Sequence, residues 1–250
     1  PNYFFYNNGN GTFSEIALLS GCAYSFNGIA QASMGVDAAD YNGDGLLDIF
    51  VTNLSYETNA LYRNNGDGTF TDIIYEANLG TESYLYVGFG TGFLDYDNDG
   101  YLDIFIANGH VIDTIEEASG VVTYAQPNQL FHNNRDGTFS QASSIAGTYF
   151  QRESISRGAI FGDYDNDGDL DIVVTQSNGK AELLQNEGGN RRNWARLQTV
   201  GTISNRDGIG TRVIMTADQK SQVQEVHTGS SYLCSNDSNL SFGLGDSTMI

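Results

Sequence analysis

One acidic nine-residue segment occurs three times in the chain and limits what the polypeptide around it can become. It reads Asp40-Tyr-Asn42-Gly-Asp44-Gly45-Leu46-Leu-Asp48, then Asp95-Tyr-Asp97-Asn-Asp99-Gly100-Tyr101-Leu-Asp103, then Asp163-Tyr-Asp165-Asn-Asp167-Gly168-Asp169-Leu-Asp171. Side-chain oxygens at positions 1, 3, 5 and 9, a Gly at 6 for the sharp turn and a carbonyl at 7 supply the six to eight oxygens a hard cation takes. Without a cation, four close carboxylates repel one another. The pattern therefore predicts three Ca²⁺ sites. Their ligands are Asp40, Asn42, Asp44, the Leu46 carbonyl and Asp48; Asp95, Asp97, Asp99, the Tyr101 carbonyl and Asp103; and Asp163, Asp165, Asp167, the Asp169 carbonyl and Asp171. Coordination distances of about 2.3–2.6 Å are expected. Asn42 gives the first loop one less negative charge, so that site is expected to be the weakest.

An EF-hand shares the first half of this spacing but needs a bidentate Glu at position 12 and flanking helices. Position 12 is Val51, Ile106 or Val174, inside the runs Leu-Asp-Ile-Phe-Val, Leu-Asp-Ile-Phe-Ile and Leu-Asp-Ile-Val-Val. β-branched and aromatic runs of this kind are strands. The loops are thus predicted to join pairs of β-strands.

A second motif repeats out of phase with the first. Asn2-Tyr-Phe-Phe-Tyr-Asn-Asn-Gly-Asn-Gly-Thr-Phe13 matches residues 59–70 and 128–139, and a degenerate copy spans 181–189. Each is a strand, an Asn/Asp-Gly turn and another strand, hence a hairpin. Interleaving the motifs gives a four-stranded unit. Successive acidic loops start 55 and 68 residues apart, the longer interval containing an insertion from Gly109 to Pro127. Four-stranded units repeated radially make a β-propeller, whereas the repeats of a calcium-binding β-helix are far shorter. The predicted fold is all-β: a β-propeller of which three blades plus a half blade are visible, over residues 1–198, and a small C-terminal β-rich domain over 199–250.

The chain carries 31 acidic against 11 basic residues, a net charge of −20. That balance excludes nucleic acid and anionic membrane surfaces as partners. The 30 Gly and 29 Tyr and Phe against only two Pro suit short strands and tight turns. No apolar run approaches the roughly 18 residues of a membrane span. Cys22 and Cys234 are too few for a disulfide framework, and both a single bridge and two free thiols fit.

The segments Gly88-Phe-Gly-Thr-Gly-Phe-Leu-Asp-Tyr-Asp-Asn-Asp-Gly and Ser156-Arg-Gly-Ala-Ile-Phe-Gly-Asp-Tyr-Asp-Asn-Asp-Gly resemble FG-GAP/VCBS repeats, the blades of integrin α-subunit propellers. The tail resembles the ASPIC/UnbV domain of the cartilage acidic protein-like family. Ser204-Asn-Arg-Asp-Gly-Ile-Gly-Thr-Arg-Val213, Glu225-Val-His-Thr-Gly-Ser-Ser-Tyr-Leu233 and Leu240-Ser-Phe-Gly-Leu-Gly-Asp246 carry that likeness. Cys234 departs from the Ser expected after Tyr-Leu, and the usual closing Trp-Pro-Ser-Gly is not seen. The resemblance implies Ca²⁺-binding blades and a secreted or surface-displayed protein. Such loops bind weakly and fill more readily outside the cell.

No nucleophile elbow, Cys/His pair, phosphate loop or zinc motif is present. His110 and Glu116-Glu117 lie in the insertion, where a loop role outweighs a catalytic one; His132 and His227 fall in strands, and Arg191-Arg192 reads as a solvated pair. The expected function is non-enzymatic: an extracellular calcium-binding module for adhesion, ligand binding or assembly, with an unknown protein or glycan ligand. A Ca²⁺-dependent polysaccharide-active propeller is the alternative. Open strand edges point to a fragment of a longer propeller or to a homo-oligomer or filament whose copies pair those edges.

Overall fold

The computed structural model describes residues 1–249. The described residues are all-β apart from short helical turns at α1 (Ala17–Ser20), α2 (Gly80–Ser83) and α3 (Ile115–Ser119) and 3-10 turns at Thr148–Gln151 and Gly189–Arg191. The repeated motifs become repeated sheets. β1 (Phe5–Asn7) and β2 (Phe13–Glu15) form a hairpin. β3 (Val36–Ala39), β4 (Asp48–Val51), β5 (Ala60–Asn64) and β6 (Phe70–Asp72) form a four-stranded antiparallel meander. β7 (Gly88–Leu94) and β8 (Asp103–Asn108) repeat the first half of that plan. The insertion follows, with α3 and the short β9 (Gln126–Pro127), before β10 (Gln129–Asn133) and β11 (Phe139–Gln141) complete the second sheet. β9 pairs instead with β12 (Glu153–Ser154). The third sheet has β13 (Ser156–Gly162), β14 (Asp171–Gln176) and β15 (Glu182–Leu184).

The hairpins share one turn chemistry. Asn8, Asn65 and Asn134 each donate a backbone N–H to the Thr four residues on, at 2.9–3.0 Å. The turn needs a left-handed residue just before the Asn/Asp-Gly step, supplied by Gly9 (φ 74°), Gly66 (φ 78°) and, in the third copy, Arg135 (φ 68°). A non-Gly residue there costs about 1–2 kcal/mol, so Arg135 needs a compensating contact.

The sheets stack through two apolar layers. Phe50, Leu61, Ile74, Ile104, Ile106 and Phe131 fill the first, between the first and second sheets. Leu94, Phe105, Leu130, Phe161, Ile172 and Val174 fill the second, between the second and third. The first strands of the three sheets, β3, β7 and β13, run beside one another. Thr52 Oγ1 donates to the Phe89 carbonyl at 2.8 Å, and Phe93 N–H donates to Asp37 Oδ2 at 2.8 Å. A Cβ on Gly90 would collide with the Arg157–Ala159 backbone, which is why this contact needs a glycine.

The tail threads into that central space. β16 (Asn193–Leu197) pairs with β21 (Leu240–Gly245), and β17 (Arg212–Ala217) pairs with β18 (Lys220–Glu225). Between them β19 (Gly229–Ser230) and β20 (Cys234–Ser235) bracket a tight turn. Ser231 exchanges backbone hydrogen bonds with Val36, at 3.2 and 2.8 Å, while its Oγ accepts from Thr91 N–H at 3.1 Å. Phe161 N–H donates to Asn236 Oδ1 at 3.1 Å, and Tyr232 sits edge-on to Phe89 with centroids 4.9 Å apart. One short segment thus ties the first strands of all three sheets together. Cys22 is buried, Cys234 half-buried, and both are free thiols.

Candidate metal centres

Each acidic loop joins the first and second strands of its sheet and closes by the same device. The position-1 carboxylate accepts the backbone N–H groups of the turn. Asp40 accepts from Gly43, Asp44 and Gly45 at 2.9–3.1 Å, Asp95 from Asp99 and Gly100 at 2.9 and 2.7 Å, and Asp163 from Asp167 and Gly168 at 3.1 and 3.2 Å. The position-5 carboxylate accepts the N–H of residue 7: Leu46 donates to Asp44 at 2.8 Å, Tyr101 to Asp99 at 2.8 Å and Asp169 to Asp167 at 3.2 Å. The loop is therefore preformed by its backbone.

Position 9 begins the second strand and is clamped from the hairpin. The first Asn of the turn donates its N–H to one oxygen: Asn64 to Asp48, Asn133 to Asp103 and Asn186 to Asp171, each at 2.8 Å. Each clamping Asn also donates its side-chain amide to the carbonyl at position 8 of the loop, that of Leu47, Leu102 or Leu170. This links the two sequence motifs, and the constant offset between them is the signal that reveals it.

Ligand atoms of Asp95, Asp97 and Asp103 lie within 4.8 Å of one another, as do those of Asp163, Asp165 and Asp171. Oxygens so spaced fit around one ion with bonds near 2.4 Å. Positions 1, 3 and 9 thus converge in the second and third loops. In the first, Asn42 takes position 3; its Oδ1 accepts Asp44 N–H at 3.0 Å and its Nδ2 donates to Asp44 Oδ2 at 3.0 Å. Position 5 does not join the other three: Asp99 groups instead with Asp97 and His132.

Buried oxygens without partners mark the same loops. Asp48 Oδ2, Asp97 Oδ1 and Asp169 Oδ1 are shut off from solvent and accept no hydrogen bond among the described residues. Burial pushes Asp48 up to about 7, Asp103 to about 6, and Asp95 well above the usual carboxylate range. Leaving buried acceptors unmet is costly, and a cation in the first and second loops would meet Asp48 Oδ2 and Asp97 Oδ1.

Basic residues surround these loops unequally. On the second loop, Arg135 donates Nε and Nη2 to Asp99 Oδ2 at 3.0 and 2.6 Å, which offsets its left-handed backbone. Arg192 reaches Asp97 Oδ2 at 2.9 Å and His132 Nδ1 lies 3.1 Å from Asp103 Oδ1. Lys220 donates to the Gly100 carbonyl over the Tyr101 ring, and burial lowers its pKa to about 8. Arg192 is therefore no solvated residue, as its sequence context suggests; the tail connection carries it onto the loop. On the third loop, Arg196 binds Asp163 Oδ2 at 2.9 Å. On the first, Arg212 donates to the Gly45 carbonyl rather than to a carboxylate. The signal for Arg135 is its place in a Gly position of the hairpin repeat; nothing local marks Arg192, Arg196, Arg212 or Lys220.

In the insertion, His110 is buried and accepts Ile112 N–H at its Nδ1 at 3.0 Å. Burial lowers its pKa, and it anchors the loop.

Repeated sheets joined by acidic loops, with a threaded β-rich tail, define a class of repeat protein. The FG-GAP-like repeat family matches residues 1–51, 40–106 and 118–174, and the ASPIC and UnbV family matches residues 201–250. The chain belongs to the FG-GAP-like repeat family and carries an ASPIC and UnbV segment. It is 27% identical to cartilage acidic protein 1 of Mus musculus over 255 residues and 28% identical to that of Homo sapiens over 256. Each alignment covers 98% of this chain but only 36% and 35% of the relative, so the chain spans about a third of the relatives' length. Among the described residues no helix is long and apolar enough to cross a membrane.

Proposed function

We propose that this chain is a calcium-binding β-propeller segment, extracellular and non-enzymatic, that serves adhesion or ligand binding. The observation that carries the metal reading is the convergence of positions 1, 3 and 9, together with the orphaned oxygens of Asp48 and Asp97. Asp95, Asp97 and Asp103 would hold one ion and Asp163, Asp165 and Asp171 another. Asp40, Asn42 and Asp48 would hold the third, with the carbonyls of Leu46, Tyr101 and Asp169 and the side chains of Asp44, Asp99 and Asp167 as further donors. The ion supplies positive charge where buried carboxylates otherwise repel. The residues do the rest: position 1 folds the turn, position 9 pins the second strand to the hairpin, and the first strand is drawn against them.

The propeller reading is supported by three sheets of one plan whose first strands lie side by side with the tail between them. The tail, residues 199–250, acts as a unit that recruits β16 and caps the acidic-loop side, with Arg196, Lys220 and Arg212 each reaching a loop. Placement outside the cell rests on the acidity shared with relatives named for cartilage and on weak calcium loops that fill there. The opposite side, with the insertion 109–127, offers long loops on a rigid frame, the usual place for recognition.

Differential scanning calorimetry in calcium and in excess chelator tests the reading. A marked fall in melting temperature on chelation is expected, and an unchanged melt contradicts it. Cleavage of a polysaccharide by the purified chain contradicts the non-enzymatic part.

A further inference from the structure

Asp37 stands three residues ahead of the first acidic loop, where the other two loops have Gly92 and Ile160, so the repeat does not account for it. It lies on β3 with its side chain 6% exposed. Its Oδ2 accepts Phe93 N–H at 2.8 Å, but its Oδ1 is shut off from solvent and accepts no hydrogen bond among the described residues. A buried carboxylate oxygen left in that state is costly.

The group facing that oxygen is His227, which lies just past β18 rather than within a strand. Its Nε2 is 3.6 Å from Asp37 Oδ1, too far for a hydrogen bond. The other ring nitrogen, Nδ1, is 3.0 Å from the Glu225 carbonyl. A carbonyl only accepts, so Nδ1 carries the proton, and the neutral ring turns the lone pair of Nε2 towards Asp37. Two acceptors then confront each other across a gap. Nitrogen and oxygen ligands about 2.0–2.1 Å from one tetrahedral zinc ion stand about 3.4 Å apart, which is nearly the width of that gap. Each group is also braced on its far side, Nδ1–H by a carbonyl and the carboxylate by a backbone N–H, as metal ligands are.

Both residues line a cavity of about 110 Å³ between the tail and the first strands of the sheets. Its walls hold the acidic Asp37, Asp95, Glu225 and Asp237 and, among the described residues, no Lys or Arg. Asp95 is taken up by its own loop and Asp237 binds Arg196, which leaves Asp37 and Glu225 to set the charge beside His227. Asn239 Oδ1, on the same wall, is likewise buried and accepts no hydrogen bond among the described residues. We propose that Asp37 and His227 hold a divalent transition-metal ion of the zinc type in this cavity. Imidazole with a carboxylate suits such an ion better than it suits calcium. Asn239 Oδ1 and water supply the remaining ligands, and the ion pins the tail to β3. The site uses none of the acidic loops, so it stands apart from the calcium reading.

The test titrates zinc into the full chain in saturating calcium, read by calorimetry and by ¹⁵N NMR of the imidazole rings. One zinc ion per chain is expected, with a shift at His227 Nε2 and none at His110 or His132. His227→Ala should abolish the binding. Asp37→Asn keeps an acceptor for Phe93 N–H, should leave the circular dichroism spectrum unchanged, and should weaken zinc roughly tenfold or more. Absence of zinc binding overturns the proposal, as does equal binding by either variant. A shift at His132 instead of His227 overturns it in favour of the second acidic loop. A His227 ring that stays doubly protonated at neutral pH in excess zinc overturns it in favour of a plain ion pair with Asp37; because the NMR arm uses the unaltered chain, it decides the matter even where a variant fails to fold.

Discussion

The first and second acidic loops share a backbone design and differ in what neutralises them. On the second, Arg135, Arg192 and His132 meet the carboxylates of Asp99, Asp97 and Asp103 and Lys220 reaches the Gly100 carbonyl, so the protein brings its own cations. On the first, the carboxylates of Asp40, Asp44 and Asp48 meet no basic side chain among the described residues, and Asp48 Oδ2 is buried and accepts no hydrogen bond among them. Ligand charge alone ranks the first site as the weaker binder, because Asn42 replaces an Asp. The surroundings add a separate quantity, which is how far the fold depends on the ion. Under the calcium reading proposed above, the first loop would be the weaker binder and yet lean on metal more heavily than the second.

The largest expected effect is on overall stability. A site held at 100 times its dissociation constant contributes about 2.7 kcal/mol, which for a chain of this size is roughly 5–10 °C in melting temperature. Chelation should lower the melt by at least that much. Hydrogen exchange in chelator should then rise more in β4 than in β8, and equal protection of the two strands would break the comparison.

Next come the position-9 variants. Asp103→Ala strands the N–H groups of Asn133 and Tyr96 and the His132 ring, and should cost about 1–3 kcal/mol with or without calcium. Asp48→Ala should cost a similar amount in calcium but much less in chelator, where it removes an unpaired buried charge as well as the partner of Asn64. Denaturant melts of both variants in both conditions separate the loops.

Arg135→Gly has a smaller and two-signed effect. It relieves the left-handed backbone but leaves Asp99 Oδ2, on a side chain 1% exposed, with only the more distant Arg192 at 3.8 Å among the described residues. The metal-free protein should lose about 1 kcal/mol, while calcium affinity at the second loop should rise several-fold. Calorimetric titration reads both, and a fall in affinity would refute the view that the arginine stands in for charge.

The smallest effect is on pH. Asp48 and Asp103 are held above the ordinary carboxylate value, so the folded metal-free chain binds their protons more tightly than the unfolded chain does. The stability that these two groups contribute should then be full below the ordinary carboxylate value of 3.8 and be lost as pH rises to about 6 to about 7. Saturating calcium should abolish that decline.

The acidic loops, their strands and the Asn-turn hairpins are legible in the sequence because each is local: period-two apolar runs, turn residues at fixed offsets, and a repeat that aligns them. The position of the insertion is legible for the same reason. The path of the tail is not. Ser231 and Asn236 enter the central space through bonds to Val36, Thr91 and Phe161, residues 75 to 195 positions away, and nothing in their motifs specifies that pairing. The cations are hidden likewise. Arg192 and Lys220 acquire meaning only once the tail lies over the loops, whereas Arg135 betrays itself by standing in a glycine position.

The central claim is that the three acidic loops hold calcium. Equilibrium dialysis of the demetallated chain against labelled calcium tests it most directly. The account predicts binding that saturates at three ions per chain and falls to two in Asp48→Ala. Saturation at zero in millimolar calcium, or an unchanged count in that variant, would contradict it.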